Sequence, residues 1–309
     1  MHVISIDQFN RENLFELFER TKKLEKIFYS KDGRLELAKK HRDKQICTLF
    51  YEPSTRTRLS FETAGYKLGF GVVSTESAGE FSSASKGETI EDTIHVLDEY
   101  KFSAIIIRHP ETGMVGRAAK VAKTPVINAG DGKGEHPTQS LLDLYTIYFN
   151  FNRLDNLTVT IGGDLKYGRT ARSLAKILSK FDGNHIKFVS TKSLAIDKDI
   201  KDFLKKNDTT FEEITDIESG IKDSDVVYWT RLQKERLAES DKHLASGFVI
   251  DKKAMRLMKK DSILLHPLPR VDEITIGVDD DPRAKYFDQA GNGLFIRMAL
   301  LDQIASEEN

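Results

Sequence analysis

Apolar residues in this chain gather in short runs, separated by stretches where they recur every three or four positions. The runs are Ile46–Tyr51, Val72–Thr75, Ala104–Arg108 and Val126–Asn128, then Leu157–Ile161, Ile186–Ser190, Thr210–Ile214, Val226–Trp229 and Ile263–Leu265. β-prone runs alternating with helical patterns are the strand, helix, strand rhythm of parallel sheets covered on both faces. The first four build one such unit and the last five another.

Three helical patterns frame these units. Ser5-Ile6-Asp7-Gln8 fits a capping box, and Phe9, Leu14, Phe15, Leu17, Phe18 and Leu24 follow at helical spacing. Between the two units, Thr138–Phe149 carries Leu141, Leu142, Leu144, Tyr145 and Tyr148 on a helical repeat and meets the polar break Asn150-Phe151-Asn152-Arg153. The boundary therefore falls around 136 to 152. After Gly291-Asn292-Gly293, a last pattern, Leu294–Ile304, is helical. The predicted fold is α/β, with two similar domains, each a mostly parallel sheet flanked by helices.

Composition narrows the function classes. The 309 residues are 39% hydrophobic and 31% charged, an ordinary globular profile with room for two cores. The net charge of -1 gives no global field to hold nucleic acid or an anionic membrane, so any anion has to be captured by a local cluster. No apolar run approaches the roughly 20 residues of a membrane span, and Met1–Phe9 lacks the basic start and apolar core of a secretory signal, so a cytoplasmic protein is expected. The single cysteine, Cys47, lies in the first strand and reads as a buried thiol without a catalytic role. No Cys/His spacing suggests a metal.

Local clusters do exist. Ser54-Thr55-Arg56-Thr57-Arg58 follows the first strand and opens a helical pattern, so a helix start, two arginines and three hydroxyls come together as a phosphate site. An ordinary N-cap with solvated arginines is the plainer alternative. Arg108 ends a buried strand and points to the same sheet edge, where open α/β sheets bind ligands; it could also pair a nearby carboxylate. A flexible loop, Gly130 to Gln139, delivers His136 and Gln139 to one helix start, a set able to polarise a carbonyl.

The loop Ala78 to Glu88 is small and polar, suited to a mobile flap and unable to pack a core; read alone, its Lys86 fits a solvated charge better than a ligand. Gly163, Gly168 and Thr170 have nucleotide-loop spacing, but Arg169 stands where that motif needs lysine. Arg231 and Gln233 follow the strand ending at Trp229, and a guanidinium matches a carboxylate through two hydrogen bonds. Leu265-His266-Pro267-Leu268-Pro269-Arg270 is stiffened by prolines that leave carbonyls exposed.

Ser54-Thr55-Arg56-Thr57-Arg58 resembles the carbamoyl-phosphate motif of the aspartate and ornithine carbamoyltransferases. Later segments match the aspartate branch in order across nearly the whole chain. The resemblance implies that residues 1–136 with 292–309 bind carbamoyl phosphate, 137–149 form a linking helix and 150–290 bind aspartate, with the C-terminal helix returning to the first domain. It implies Arg56, Thr57, Lys86, Arg108, His136 and Gln139 as catalytic residues. Carbamoyl phosphate would be held by these except Lys86, together with Ser54, Thr55, Ser82 and the carbonyls of Pro267 and Leu268. Aspartate would be held by Lys86, Arg169, Arg231 and Gln233.

No cofactor and no metal is implied. Ser82 and Lys86 would reach a neighbouring subunit, making a homotrimer with shared active sites, while regulatory chains or other pyrimidine-pathway enzymes stay open as partners. Neither nucleic acid nor membrane is expected. An ornithine or other amino-acid carbamoyltransferase and a non-catalytic anion-binding homologue are the alternatives. Against ornithine stand Glu52, where that branch commonly has lysine, and the absence of its His-Cys-Leu-Pro run at His266.

Overall fold

The computed structural model describes residues 1–81, 87–132, 134–231 and 248–307. They divide into two compact units, Met1–Leu141 with Gly291–Asn309 and Leu142–Ala290. The first contains β1 (Gln45–Phe50), β2 (Gly71–Glu76), β3 (Ala104–His109) and β4 (Val126–Asp131), in the order β2-β1-β3-β4. The second contains β5 (Thr158–Gly162), β6 (His185–Val189), β7 (Thr210–Ile214), β8 (Val226–Trp229) and β9 (Ile263–Leu265), in the order β7-β6-β5-β8-β9. Every pairing in both sheets is parallel.

Burial explains these strands. Ile105, Ile106 and Ile107 are consecutive and all fully buried, as a strand covered on both faces requires. The predicted runs are all strands, with ends displaced by about one residue except at β4, which continues to Asp131. At the β4 edge, Val3 N–H donates to Val126 O and Asn128 N–H to Val3 O, both at 2.8 Å, so the start of the chain covers part of that edge. Cys47 is buried in β1, and burial pushes its thiol up to about 12, leaving it protonated and unreactive at neutral pH. Among the described residues, no helix is long and apolar enough to cross a membrane.

Four local expectations are corrected. The Ser5 capping box exists but closes a 3-10 turn, Ile6–Gln8, and the first long helix restarts at Arg11 with Asn10 as its cap. A tertiary bond fixes the start of the turn, where Ile6 N–H donates to Glu135 Oε2 at 2.8 Å. The helix Pro137–Phe151 runs through Asn150, and the break comes at Asn152, which has φ +51°. The last helix, Tyr286–Glu307, starts before Gly291-Asn292-Gly293 and includes them. Its buried stripe, Tyr286, Gln289, Asn292, Phe295 and Ile296, contains two polar residues, which hid the repeat. Finally, Ala78 opens a helical turn, Ala78–Phe81, and is fully buried in the cluster of Cys47, Leu49 and Ile90, so part of the expected flap does pack a core.

Within the first unit, Asp302 is buried and receives Arg20 Nη1 at 2.6 Å, Lys40 Nζ at 2.6 Å and His41 Nε2 at 2.8 Å. Burial alone would raise its pKa, but hydrogen bonds from His41 and Lys40 and the adjacent positive charge hold it well below the carboxylate range. A depressed folded-state pKa adds stability that is present above the unfolded value, near 4, and fades as the pH falls below it. Asp302→Asn should cost about 2–4 kcal/mol at pH 7, a buried-pair loss reduced because Arg20 and Lys40 are partly exposed. The gap between the urea midpoints of the two proteins should stay constant from pH 7 to about 5 and narrow as the pH falls below about 4. A gap independent of pH would show that the carboxylate charge is not what stabilises.

Candidate active site

In the first sheet the chain leaves β1 for β2, then returns past β1 to β3. Such a reversal opens a crevice at the carboxyl ends of the two central strands. Phe50 is the register partner of Arg108, and Tyr51 N–H donates to Arg108 O at 2.9 Å, which holds the two strand ends level. Beyond β1 the helix Thr55–Lys67 begins, with Ser54 as a cap residue that makes no side-chain capping bond. The hydroxyl of Ser54 and the first-turn N–H groups therefore share one helix start.

Arg56 is exposed at this start and Thr57 is buried. Partial desolvation and the nearby charge of Arg108 both lower the Arg56 pKa, so two like charges are held close together. Arg108 is only 9% exposed. Its Nη2 lies 2.7 Å from Glu52 Oε2 and its Nη1 donates to Ala129 O at 3.3 Å, while Nε is buried without a hydrogen-bond partner among the described residues. The carboxylate pairing and the position at the ligand edge are therefore both true of Arg108.

Arg58 does not join the cluster, contrary to the grouping of the two arginines in the sequence. It is drawn towards β2, 3.2 Å from Glu62 and 2.9 Å from Glu76, because a residue two positions along a helix turns to a different face.

His136, 5% exposed, immediately precedes the helix Pro137–Phe151. Its Nε2 lies 3.5 Å from Thr57 Oγ1 and its Nδ1 3.4 Å from Thr138 Oγ1, and its carbonyl accepts from Gln139 N–H at 2.9 Å. The loop before it is less free than its composition suggested. Gly132 N–H donates to His109 O, Gly134 N–H to Asp131 O, and Asp131 Oδ2 accepts from Gly113 N–H. Gly132 has φ +50°, and a Cβ there would come 2.6 Å from Thr112 N. The first unit thus unites Ser54, Thr55, Arg56, Thr57, Arg108 and His136, with Gln139 one turn into the helix.

The second sheet reverses between β5 and β8. Glycines bring the ends of these strands together: a Cβ on Gly162 would enter the Trp229 ring at 2.1 Å, and one on Gly163, φ +106°, would meet Thr230 O at 2.3 Å. Thr230 donates to Gly162 O through both N–H and Oγ1, at 2.8 and 2.9 Å. This close approach accounts for the glycine pair without a nucleotide. Arg169, half-buried, starts the helix Arg169–Leu178 after β5, and Arg231, exposed, follows Thr230 after β8. Both arginines consequently stem from the two connections that flank the reversal. Ser82, Lys86 and Gln233 lie outside the described residues.

β9 leads into His266-Pro267-Leu268-Pro269, where Leu268 has φ +53° and the Leu268–Pro269 peptide is cis. His266 was not expected to matter, yet it is 1% exposed and contacts Glu273 Oε1 through Nε2 at 2.8 Å. Burial would raise the Glu273 pKa, but the hydrogen bond from His266 and the bonds from nearby backbone lower it below its ordinary value. Also absent from the sequence reading is a buried cluster in which Asp143 accepts from Tyr228 OH at 2.9 Å and from Gln289 Nε2 at 2.5 Å. No local pattern joins residues so far apart in sequence. Among the described residues, no group of three or more His, Cys, Asp or Glu could hold a metal ion.

Comparison with known proteins bears on this geometry. Residues 1–149 match the aspartate/ornithine carbamoyltransferase carbamoyl-P binding domain, and residues 155–304 match the Asp/Orn binding domain of the same family. An aspartate carbamoyltransferase of Arabidopsis thaliana, named as chloroplastic, is 50% identical over 302 residues, covering 97% of this chain and 76% of that protein. The catalytic subunit of M. jannaschii aspartate transcarbamoylase superposes with a TM-score of 0.89 at 40% identity, covering 99% of this chain and 98% of that one. Aspartate transcarbamoylase from Trypanosoma cruzi, solved in complex with carbamoyl phosphate and aspartate, gives 0.87 at 35% identity over 97% of this chain and 94% of that one. With two domain models that together span most of its length, the chain belongs to the aspartate/ornithine carbamoyltransferase family.

Proposed function

We infer that this enzyme transfers the carbamoyl group of carbamoyl phosphate to the α-amine of L-aspartate, giving N-carbamoyl-L-aspartate and phosphate. Family membership alone leaves aspartate and ornithine as acceptors. The observation that carries the choice is the pair Arg169 and Arg231 on the connections flanking the reversal of the second sheet. Guanidinium groups bind the two carboxylates of aspartate, whereas the ammonium side chain of ornithine would need an acidic partner there.

The first unit supplies the phosphate side. Ser54, Thr55, Arg56 and Thr57 at the helix start, with Arg108, hold the phosphate, and an anion relieves the repulsion between the two guanidinium groups. The amine attacks the carbonyl carbon, a C–N bond forms, and the C–O bond breaks as phosphate leaves. Thr57, Arg108 and His136 donate to the carbonyl oxygen as it gains charge, with Gln139 beside them and the Pro267 and Leu268 carbonyls accepting from the carbamoyl amine. Positioning and charge stabilisation carry the reaction, so no covalent enzyme intermediate and no cofactor is needed.

Residues 1–136 with 292–309 act as the carbamoyl-phosphate domain, 150–290 as the aspartate domain and 137–149 as the link. Ser82, Lys86 and Gln233 complete the site, the first two reaching it from the adjacent chain of a homotrimer. The step belongs to pyrimidine synthesis, where regulatory chains or further pathway enzymes are possible partners. Its expected compartment is the cytoplasm, although the A. thaliana relative is named chloroplastic.

Purified protein given carbamoyl phosphate should make carbamoyl aspartate from aspartate, and little citrulline from ornithine. The reverse preference would overturn the acceptor, and binding without turnover would make the protein a non-catalytic anion binder. Arg231→Ala should raise the aspartate KM on the order of 10- to 100-fold, the loss of a charge-assisted pair, with the carbamoyl phosphate Kd nearly unchanged. Equal loss for both substrates would mark Arg231 as structural. Sharing between chains is tested by refolding inactive Lys86→Ala chains with inactive His136→Ala chains in equal amounts. A site is whole only where normal His136 meets a neighbour's normal Lys86, so about a quarter of wild-type activity should return. No recovery from re-formed trimers would place Lys86 within its own chain's site, or outside any.

A further inference from the structure

His266 is itself assigned no substrate contact, yet the turn that carries Pro267 and Leu268 closes on its ring. Leu268 N–H donates to His266 Nδ1 at 2.8 Å. Since Nδ1 accepts there, the ring proton belongs on Nε2, which faces Glu273 Oε1 at 2.8 Å. Glu273 Oε2 in turn accepts the N–H groups of Val271 and Asp272 at 3.1 and 3.2 Å, and thus holds the chain just past the turn. Behind the ring, His266 N–H donates to Gln289 Oε1 at 2.9 Å, and Gln289 reaches the Asp143 carboxylate shared with Tyr228. His266, Glu273, Gln289, Asp143 and Tyr228 are all at most 2% exposed, so the bonds that join these five side chains and the His266 backbone are sheltered from water, while those from the Leu268, Val271 and Asp272 backbone are part-buried.

Peptide geometry gives the network a direction. The Pro267–Leu268 peptide is trans, so its C=O and N–H point opposite ways. Tying Leu268 N–H to a buried ring therefore aims the Pro267 carbonyl away from that ring. Leu268 itself has φ +53°, a conformation that a leucine keeps only where its surroundings impose it.

We propose that His266, oriented by Glu273, is a positioning residue whose Nδ1 anchors Leu268 N–H and so aims the Pro267 carbonyl at the carbamoyl amine. This rests on the carbamoyl transfer inferred above. The carbamoyl group is what separates carbamoyl phosphate from inorganic phosphate, and its amine is the part that meets the Pro267 carbonyl, so the His266 pair contributes to discrimination between these two ligands and leaves capture of the phosphate group alone.

Two substitutions divide the functions of the ring. Asn at 266 places its side-chain oxygen near the position of Nδ1 and can accept from the N–H two residues on, as in an Asx turn. Gln at 266 reaches towards Glu273 but gives up that acceptor. The Kd values of carbamoyl phosphate and of inorganic phosphate are measured for the whole enzyme, both variants and Glu273→Gln, with thermal unfolding followed in parallel. His266→Gln should weaken carbamoyl phosphate on the order of 10- to 100-fold, the usual effect of a misplaced contact, and leave phosphate within about threefold. His266→Asn should restore most of the difference, and Glu273→Gln should fall between wild type and His266→Gln.

If the ratio of the two affinities is the same in all four proteins, or both ligands weaken together in His266→Gln, the positioning role is overturned. Failure of wild-type protein to bind carbamoyl phosphate more tightly than phosphate would instead overturn the carbamoyl-transfer reading.

Discussion

A guanidinium buried at the end of a parallel strand has to be compensated, and much of the first unit's site follows from how Arg108 is treated. Its strand is apolar and covered on both faces, so the chain delivers the charge to the carboxyl edge of the sheet, beside the end of β1. Glu52, from the connection after β1, neutralises it in part. The same connection continues into a helix start carrying Arg56 and Thr57, so one charge pair lies among groups suited to an anion. Glu52 keeps 41% of its side-chain surface exposed, although Oε2, the oxygen that meets Arg108, is itself buried.

The second unit reaches an analogous arrangement by different means. Its reversal between β5 and β8 is drawn tight by Gly162 and Gly163, which let the Trp229 ring and the Thr230 backbone approach closer than any side chain would permit. What emerges from the two connections is again arginine. Beneath them, the buried Asp143 carboxylate joins Tyr228 on β8 to Gln289 and through it to His266. Burial and the adjacent carboxylate raise the Tyr228 pKa far above its usual value, which keeps its hydroxyl a donor. The strand that precedes Arg231 and the turn that bears Pro267 are therefore fastened to one polar core. Rigid support of this kind is what catalysis by positioning demands.

The number and type of strands, and the carboxyl edges to which their connections lead, could be read from the order of the residues alone. Ile105-Ile106-Ile107 reads as a buried strand, and in a parallel sheet all strands end on the same edge, so Arg108, Arg231 and the Ser54 turn were expected at or just beyond strand ends, where the structure has them. The partners of these side chains emerged only in the folded chain. Arg58 looks equivalent to Arg56 in sequence, but Glu76 on the neighbouring strand claims it. The Ser5 cap and the glycines at 291 and 293 misled because Glu135 and a mixed polar stripe of buried residues, both distant in sequence or chemistry, fix those segments. His266 was legible only as part of a stiff turn, and Glu273 and Asp143 carry no local mark at all. Local pattern reports which backbone conformation and which face a residue prefers within a few positions, whereas a buried polar group is defined by whichever distant atom satisfies it, and that is known only once the chain is packed.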